Sequence, residues 1–304
     1  MKKKRFGDRK DGYRIHDGDP MHVLFPYLLP NRTDNEVCLT EKIDLAPIAE
    51  YIKNKNVDCE DFSCTVFHVV MAALAKVFHE RPCLNRFYIG NRLYERDNIS
   101  FAFAAKKEYT DDCPETIAIV RYNSEIEKSP MDQIYNGVKE VVNGIRVDGK
   151  TEDGATGVMK VVGHFPRCII KLIVGTLNLL DYYGLYPKSL MDVDPYYTTC
   201  FISNLGSIRL NADYHHLVNR GTNSIFVIIG KKEKEYFTDR SGNPTYREYI
   251  PVSITLDERI ADGVYFSKSL SKLRKYLAHP EELDIVMTEC QEKDAVTESE
   301  KIPV

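Results

Sequence analysis

Long hydrophobic runs are missing from this sequence. The most apolar stretch, Phe165-Pro-Arg-Cys-Ile-Ile-Lys-Leu-Ile-Val-Gly-Thr-Leu-Asn-Leu-Leu180, is short for a membrane span and carries Arg167 and Lys171. A transmembrane segment is therefore not expected. Positive charge is in no excess either, with 41 Lys and Arg against 45 Asp and Glu and a net charge of −4. That balance argues against a general nucleic-acid binder, and the basic start Lys2-Lys3-Lys4-Arg5 reads as a solvated terminus. The start is not followed by an apolar core with a small-residue cleavage site, so no signal peptide is expected. The eight cysteines, at 38, 59, 64, 83, 113, 168, 200 and 290, form no Cys-x-x-Cys pair and no Cys/His spacing suited to zinc. The reading is free thiols in a reducing cytoplasm, with no metal site. A Gly-rich phosphate loop, internal repeats and low-complexity tracts are absent as well.

What is present is an ordinary soluble balance, 43% hydrophobic and 28% charged. The length suits one large domain or two small ones. Residues 1–35 read as an N-terminal arm, with the proline-punctuated apolar stretch Asp19 to Pro30 packed on the domain or on a neighbouring subunit. Val37 to Ile43 predicts a strand, and Asp44 caps a helix over 45–55. Phe67, Val70, Met71, Leu74 and Phe78 recur at helical spacing, so 63–79 predicts a helix, with Pro82 just past its end. Gly90-Asn91 between Phe87-Tyr-Ile and Arg92-Leu-Tyr predicts a hairpin. Ile99 to Ala105 and Thr116 to Val120 predict strands, and Ser129-Pro130 opens a helix to about Val142. Residues 143–157, rich in Gly and Asp, read as a mobile loop. An apolar helix over 158–181 has three open readings: extra core, a lid over a channel, or a surface lying on membrane. Membrane contact is disfavoured by its small cationic face. Strands follow at 198–203, 224–230 and 250–256, the last two joined by the turn-rich Asp239 to Pro244. Val264 to Ala278 predicts the closing helix, and 288–304 a flexible tail.

Between the last strand and the last helix stands Asp257-Glu-Arg-Ile-Ala-Asp-Gly263. This heptapeptide resembles the Asp-His-Arg-x-x-Asp-Gly signature of the 2-oxo acid dehydrogenase acyltransferases. It is also similar to the His-His-x-x-x-Asp-Gly of chloramphenicol acetyltransferase. Two further segments resemble the same families. One is Cys200-Phe-Ile-Ser-Asn-Leu-Gly206, similar to Thr-Ile-Ser-Asn-Leu-Gly. The other is the early order Ile43-Asp44-Leu45, helix, long helix, Arg81-Pro82 and Asn85. Together they cover roughly 36–280, and 143–190 fits worst. The resemblance implies an α/β domain at 36–287 with the chloramphenicol acetyltransferase-like two-layer fold, a mixed sheet with packed helices. Residues 143–190 form its divergent loop and apolar helix.

The resemblance also implies acyl transfer between coenzyme A and a small acceptor, in a homotrimer whose sites lie at subunit interfaces. One subunit supplies the signature loop and its neighbour much of the pocket wall. No Asp-Lys-Ala lipoylation turn precedes the catalytic region, so no lipoyl group is expected on this chain. A cytoplasmic, stand-alone enzyme using acyl-CoA fits better than a member of a dehydrogenase complex. The alternative is a non-catalytic trimeric scaffold that binds acyl-CoA or a protein partner.

Carried over by position, the signature base becomes Glu258, the oxyanion donor Ser203 and the loop-holding aspartate Asp262. Asn204, His215, His216 and Arg259 are candidate substrate contacts. Each catalytic position has a second reading. Ser203 at a strand end can simply bond nearby backbone. Asp262 before a helix is a favoured N-cap. Glu258 replaces an imidazole near pKa 6.5 by a carboxylate whose solvated value lies near 4.3. Burial raises such a carboxyl toward neutrality. Otherwise Glu258 pairs with Arg259 or another cation and the site is retired. His215 or His216 supplies a replacement base, or both are structural.

Overall fold

The computed structural model describes residues 3–16, 20–57, 61–106, 115–146, 162–238 and 241–287, with isolated positions at 108, 110, 112, 113 and 157. The expected tail lies outside these, as does most of the loop expected over 143–157, whose first residues, 143–146, are helical instead.

The main sheet is seven-stranded and mixed. Its strands are β2 (Glu36–Asp44), β5 (Ile99–Lys106), β6 (Glu115–Tyr122), β7 (Cys200–Asn204), β8 (Ile225–Ile229), β9 (Glu233–Thr238) and β10 (Pro244–Asp257). The order is β2-β10-β8-β7-β5-β6, with β9 paired to β10. Strands β5, β7 and β8 run parallel, and the other pairings are antiparallel. A small second sheet joins β1 (Gly12–Arg14) to the hairpin of β3 (Arg86–Ile89) and β4 (Arg92–Arg96). The hairpin turn places Gly90 at φ 55° and Asn91 at φ 57°, the left-handed pair that a two-residue turn requires.

The helical layer comprises α2 (Leu45–Lys55), α3 (Val66–Glu80), α4 (Pro130–Arg146) and α7 (Gly263–Ala278). Asp44 caps α2 by accepting from Ala46 N at 2.9 Å, and Ser129 Oγ accepts from Asp132 N at 3.1 Å at the start of α4. The main core lies between this layer and one sheet face, and a small separate cluster joins Tyr186, Met191 and Tyr197. Helix α3 is buried along nearly its whole length, from Phe67 to Phe78. This is the two-layer architecture that the resemblance implies.

Two features differ from the sequence reading. The connection between β8 and the last strand contains strand β9, and β10 is longer than 250–256 because its first half pairs with β9. The arm contains a helix, α1 (Pro20–Leu28), whose Val23, Leu24, Tyr27 and Leu28 are exposed. The described part of the apolar segment is α5 (Arg167–Tyr182), followed by the short α6 (Lys188–Met191). Helix α5 exposes Leu172 and Leu179 while its Ile170, Ile173 and Leu177 border a second cavity of about 320 Å3. Among the described residues no helix is long and apolar enough to cross a membrane.

Candidate active site

Alternation along β7 turns Cys200 and Ile202 into the core. Phe201 and Ser203 therefore face the other side of the sheet, where Phe201 stacks on Phe226 at 4.9 Å. Ser203 is half-buried, and its hydroxyl has no hydrogen-bond partner among the described residues. It stands at the carboxyl end of the parallel strands, bordering a cavity of about 700 Å3. That cavity also reaches Phe103, the start of α3 at Thr65, Phe67 and His68, and Val138 of α4. Carboxyl ends of parallel strands are where open α/β sheets place ligands.

The Ser-Asn-Leu-Gly segment has a local structural logic. Asn204 Oδ1 accepts from Ser207 N at 3.3 Å and caps a 3-10 turn, Leu205–Ile208. Gly206 presses against the next strand: a Cβ there would lie 2.5 Å from the Gly230 carbonyl oxygen. Asn204 also borders the 700 Å3 cavity.

The signature turn is built on buried charge. Asp257 is fully buried and Arg259 is 2% exposed. Arg259 grips Asp257 in bidentate fashion, Nε to Oδ1 at 2.8 Å and Nη2 to Oδ2 at 2.7 Å. Its Nη1 donates to the Leu29 carbonyl at 2.9 Å, and its guanidinium lies over the Tyr88 ring at 4.9 Å. Buried Arg32 approaches the same carboxylate at 3.7 Å and donates to the carbonyls of Val218 and Gly221. Burial pushes Arg32 down to about 10, which leaves it cationic at neutral pH. This packing turns the Arg259 guanidinium away from solvent and onto the fold itself. Asp262 is exposed and accepts from Tyr265 N at 2.8 Å, the N-cap of α7.

Glu258 sits between these anchored residues with its side chain exposed and no described partner, Arg259 included. It does not border the Ser203 cavity. Strand register explains the separation. Ser203, Ile228 and Ser253 share one row, and Glu258 lies five positions beyond Ser253 (258 − 253 = 5). That stagger amounts to roughly 16 Å along the strands, plus about 10 Å across two strand spacings. Within one chain the two residues lie toward opposite ends of the sheet.

His215 and His216 belong to a loop crossing the open sheet face. The loop is tied down by Ser253 Oγ donating to Ala212 O, and by Leu217 N donating to Glu36. The His215 ring rests on Phe226 at 5.0 Å, and His216 Nδ1 lies 3.0 Å from the Leu217 carbonyl. Both are exposed, and neither borders the 700 Å3 cavity. No group of three or more His, Cys, Asp and Glu among the described residues is arranged to hold a metal ion. His68, which the sequence alone offers only as a packed or solvent-facing helix residue, is a buried polar group on the cavity wall. Its only signal in the sequence is an imidazole among the apolar residues of the first turns of that helix.

These features define a chloramphenicol acetyltransferase-like fold. Residues 189–285 match the family described as 2-oxoacid dehydrogenases acyltransferase (catalytic domain). Solved structures agree on the fold. A probable dihydrolipoamide acetyltransferase from Listeria monocytogenes superposes with a TM-score of 0.55 at 16% identity, over 88% of this chain and 92% of that one. A dihydrolipoamide acetyltransferase from Azotobacter vinelandii, whose mechanism was probed at a serine, a histidine and an asparagine, gives 0.56 at 16% identity, over 89% and 95%. A chloramphenicol acetyltransferase gives 0.50 at 13% identity, over 88% and 99%. No curated protein sequence matches the chain.

Proposed function

We propose that this chain is a coenzyme A-dependent acyltransferase whose complete site forms between copies of a homotrimer. Glu258 of one copy would meet the Ser203 cavity of the next. The observation that carries the reading is the placement of these two residues. Each has an uncommitted polar group, each sits in a segment resembling the family's site, and one chain alone keeps them apart. A cubic core of a pyruvate dehydrogenase complex has this fold (TM-score 0.56, 16% identity), which supports assembly as a way of completing such a site.

The chemistry then balances without a further reactant. The Glu258 carboxylate takes the proton of the acceptor thiol or hydroxyl as that atom attacks the thioester carbon of acyl-CoA. Ser203 donates to the oxyanion of the tetrahedral intermediate. Collapse breaks the carbon–sulfur bond, and the proton on Glu258 passes to the departing coenzyme A sulfur. A second copy covering Glu258 would take water away from it, which strengthens a carboxylate as a base. Asp262 caps α7 and so fixes the turn that presents Glu258. Asn204 shapes the cavity rim, and His215 and His216 lie on the sheet face that a second copy would cover.

A second reading, a trimeric scaffold that binds acyl-CoA without turnover, is favoured by the exposure of Glu258. Thiol release from a panel of acyl-CoAs decides between them. The enzyme reading expects turnover that Glu258→Gln lowers by ~10²–10⁴-fold, and Ser203→Ala by ~10²–10³-fold. Turnover untouched by Glu258→Gln removes Glu258 from the mechanism. Binding without turnover, with transfer gained in Glu258→His, establishes the scaffold.

A further inference from the structure

The acyl-transfer scheme leaves one buried polar group unused. His68 lies in the first turn of α3, 3% exposed, on the wall of the 700 Å3 cavity. Its Nδ1 stands 3.1 Å from the backbone nitrogen of Thr65. A backbone N–H can only donate, so Nδ1 is the acceptor and Nε2 carries the proton of the neutral ring. That Nε2–H is buried and finds no acceptor among the described residues. A buried donor left unmade is costly, and folds keep one mainly where something else completes it.

The surroundings narrow what that something is. The ring centroids of Phe62, Phe67 and Tyr135 lie 5.5, 6.1 and 5.6 Å from the imidazole. Burial pushes His68 down to about 4, so it is uncharged near neutral pH. An uncharged donor among aromatic rings suits a neutral acceptor such as an amide carbonyl. A phosphate is better served by Lys106 and Arg146, which border the same cavity. We propose that His68 Nε2–H binds an amide carbonyl oxygen of the pantetheine arm of coenzyme A, as a ligand-positioning residue. This rests on the reading that acyl-CoA is the donor substrate.

The test combines calorimetric titration of the full chain with 15N NMR of the His68 ring. The probes are coenzyme A, pantetheine, and adenosine 3′,5′-bisphosphate, which lacks the amide arm. The free protein should show the Nε2–H tautomer. Coenzyme A and pantetheine should move the Nε2 resonance, while the nucleotide alone should not. His68→Phe should weaken coenzyme A binding about tenfold, raising KM more than it lowers kcat. His68→Gln, which returns an N–H at similar reach, should recover most of the loss. Pantetheine binding that leaves Nε2 unmoved overturns the assignment to His68 alone, as does wild-type affinity in His68→Phe. Failure of both coenzyme A and pantetheine to bind the wild type overturns this assignment and the acyl-CoA reading together. Should His68→Phe fail to fold, the ring resonances of the wild type decide.

Discussion

Arg259 and Glu258 are neighbours in sequence with opposite fates. Arg259 turns inward onto Asp257 and the Leu29 carbonyl, while Glu258 stays in solvent. Removing one member of such a buried pair strands the other charge away from water. Arg259→Ala should therefore cost about 3–5 kcal/mol of unfolding free energy in urea titration. A loss under 1 kcal/mol would mean Asp257 finds water or another cation. His68 gives a second residue-scale prediction. Its folded value of about 4 lies below the ordinary 6.5, so between those pH values the unfolded chain binds a proton that the native chain does not. Stability from this group is complete above about pH 6.5 and falls by roughly 3 kcal/mol as pH drops to 4. Asp61, Lys106, Glu115 and Arg146 border the same cavity. Acid unfolding of His68→Phe should lack that share of the slope.

At the scale of elements, Gly206 ends the Ser-Asn-Leu-Gly segment against the neighbouring strand. Its backbone approaches Gly230 more closely than any side chain allows. Gly206→Ala should cost about 1–3 kcal/mol and displace the 3-10 turn beside Ser203, visible in denaturant midpoint and in weakened ligand binding. Elements with a clear period or a demanding turn were legible in the sequence. Helix α3 announced itself by apolar spacing, and the β3–β4 hairpin by Gly90-Asn91, whose positive φ angles the structure shows. Strand β9 was not legible, because Glu233–Thr238 is held by no buried face. Its ladder with β10 instead carries exposed pairs such as Arg247 to Glu235 at 2.7 Å. Such pairs leave no hydrophobic alternation to read.

At the scale of the whole molecule, the informative fact is where the ladder register puts the signature turn. Motifs identified Ser203 and Glu258 together, but a linear sequence does not say that β7 and β10 carry them toward opposite ends of one sheet. His68 was hidden for a related reason, since the cavity beside it exists only once α3, α4 and β5 are packed. If sites form between copies, two crippled chains should help each other. Co-assembled Glu258→Gln and Ser203→Ala chains should regain a sizeable fraction of wild-type thiol release, because some interfaces pair an intact carboxylate with an intact hydroxyl. Activity no greater than that of the two variants apart would place both residues' work within one chain, or nowhere.

The contacts of Arg259 with Leu29 and Pro30, and of Arg32 with Asp257, Val218 and Gly221, carry a practical corollary. The first thirty-odd residues act as a clasp on a turn more than two hundred positions away. Trimming the polypeptide ahead of β2 to obtain a tidier recombinant domain would open that clasp. The damage would surface at the carboxylate proposed to do the chemistry, far from the cut, so a purification tag is better attached at the C-terminal end.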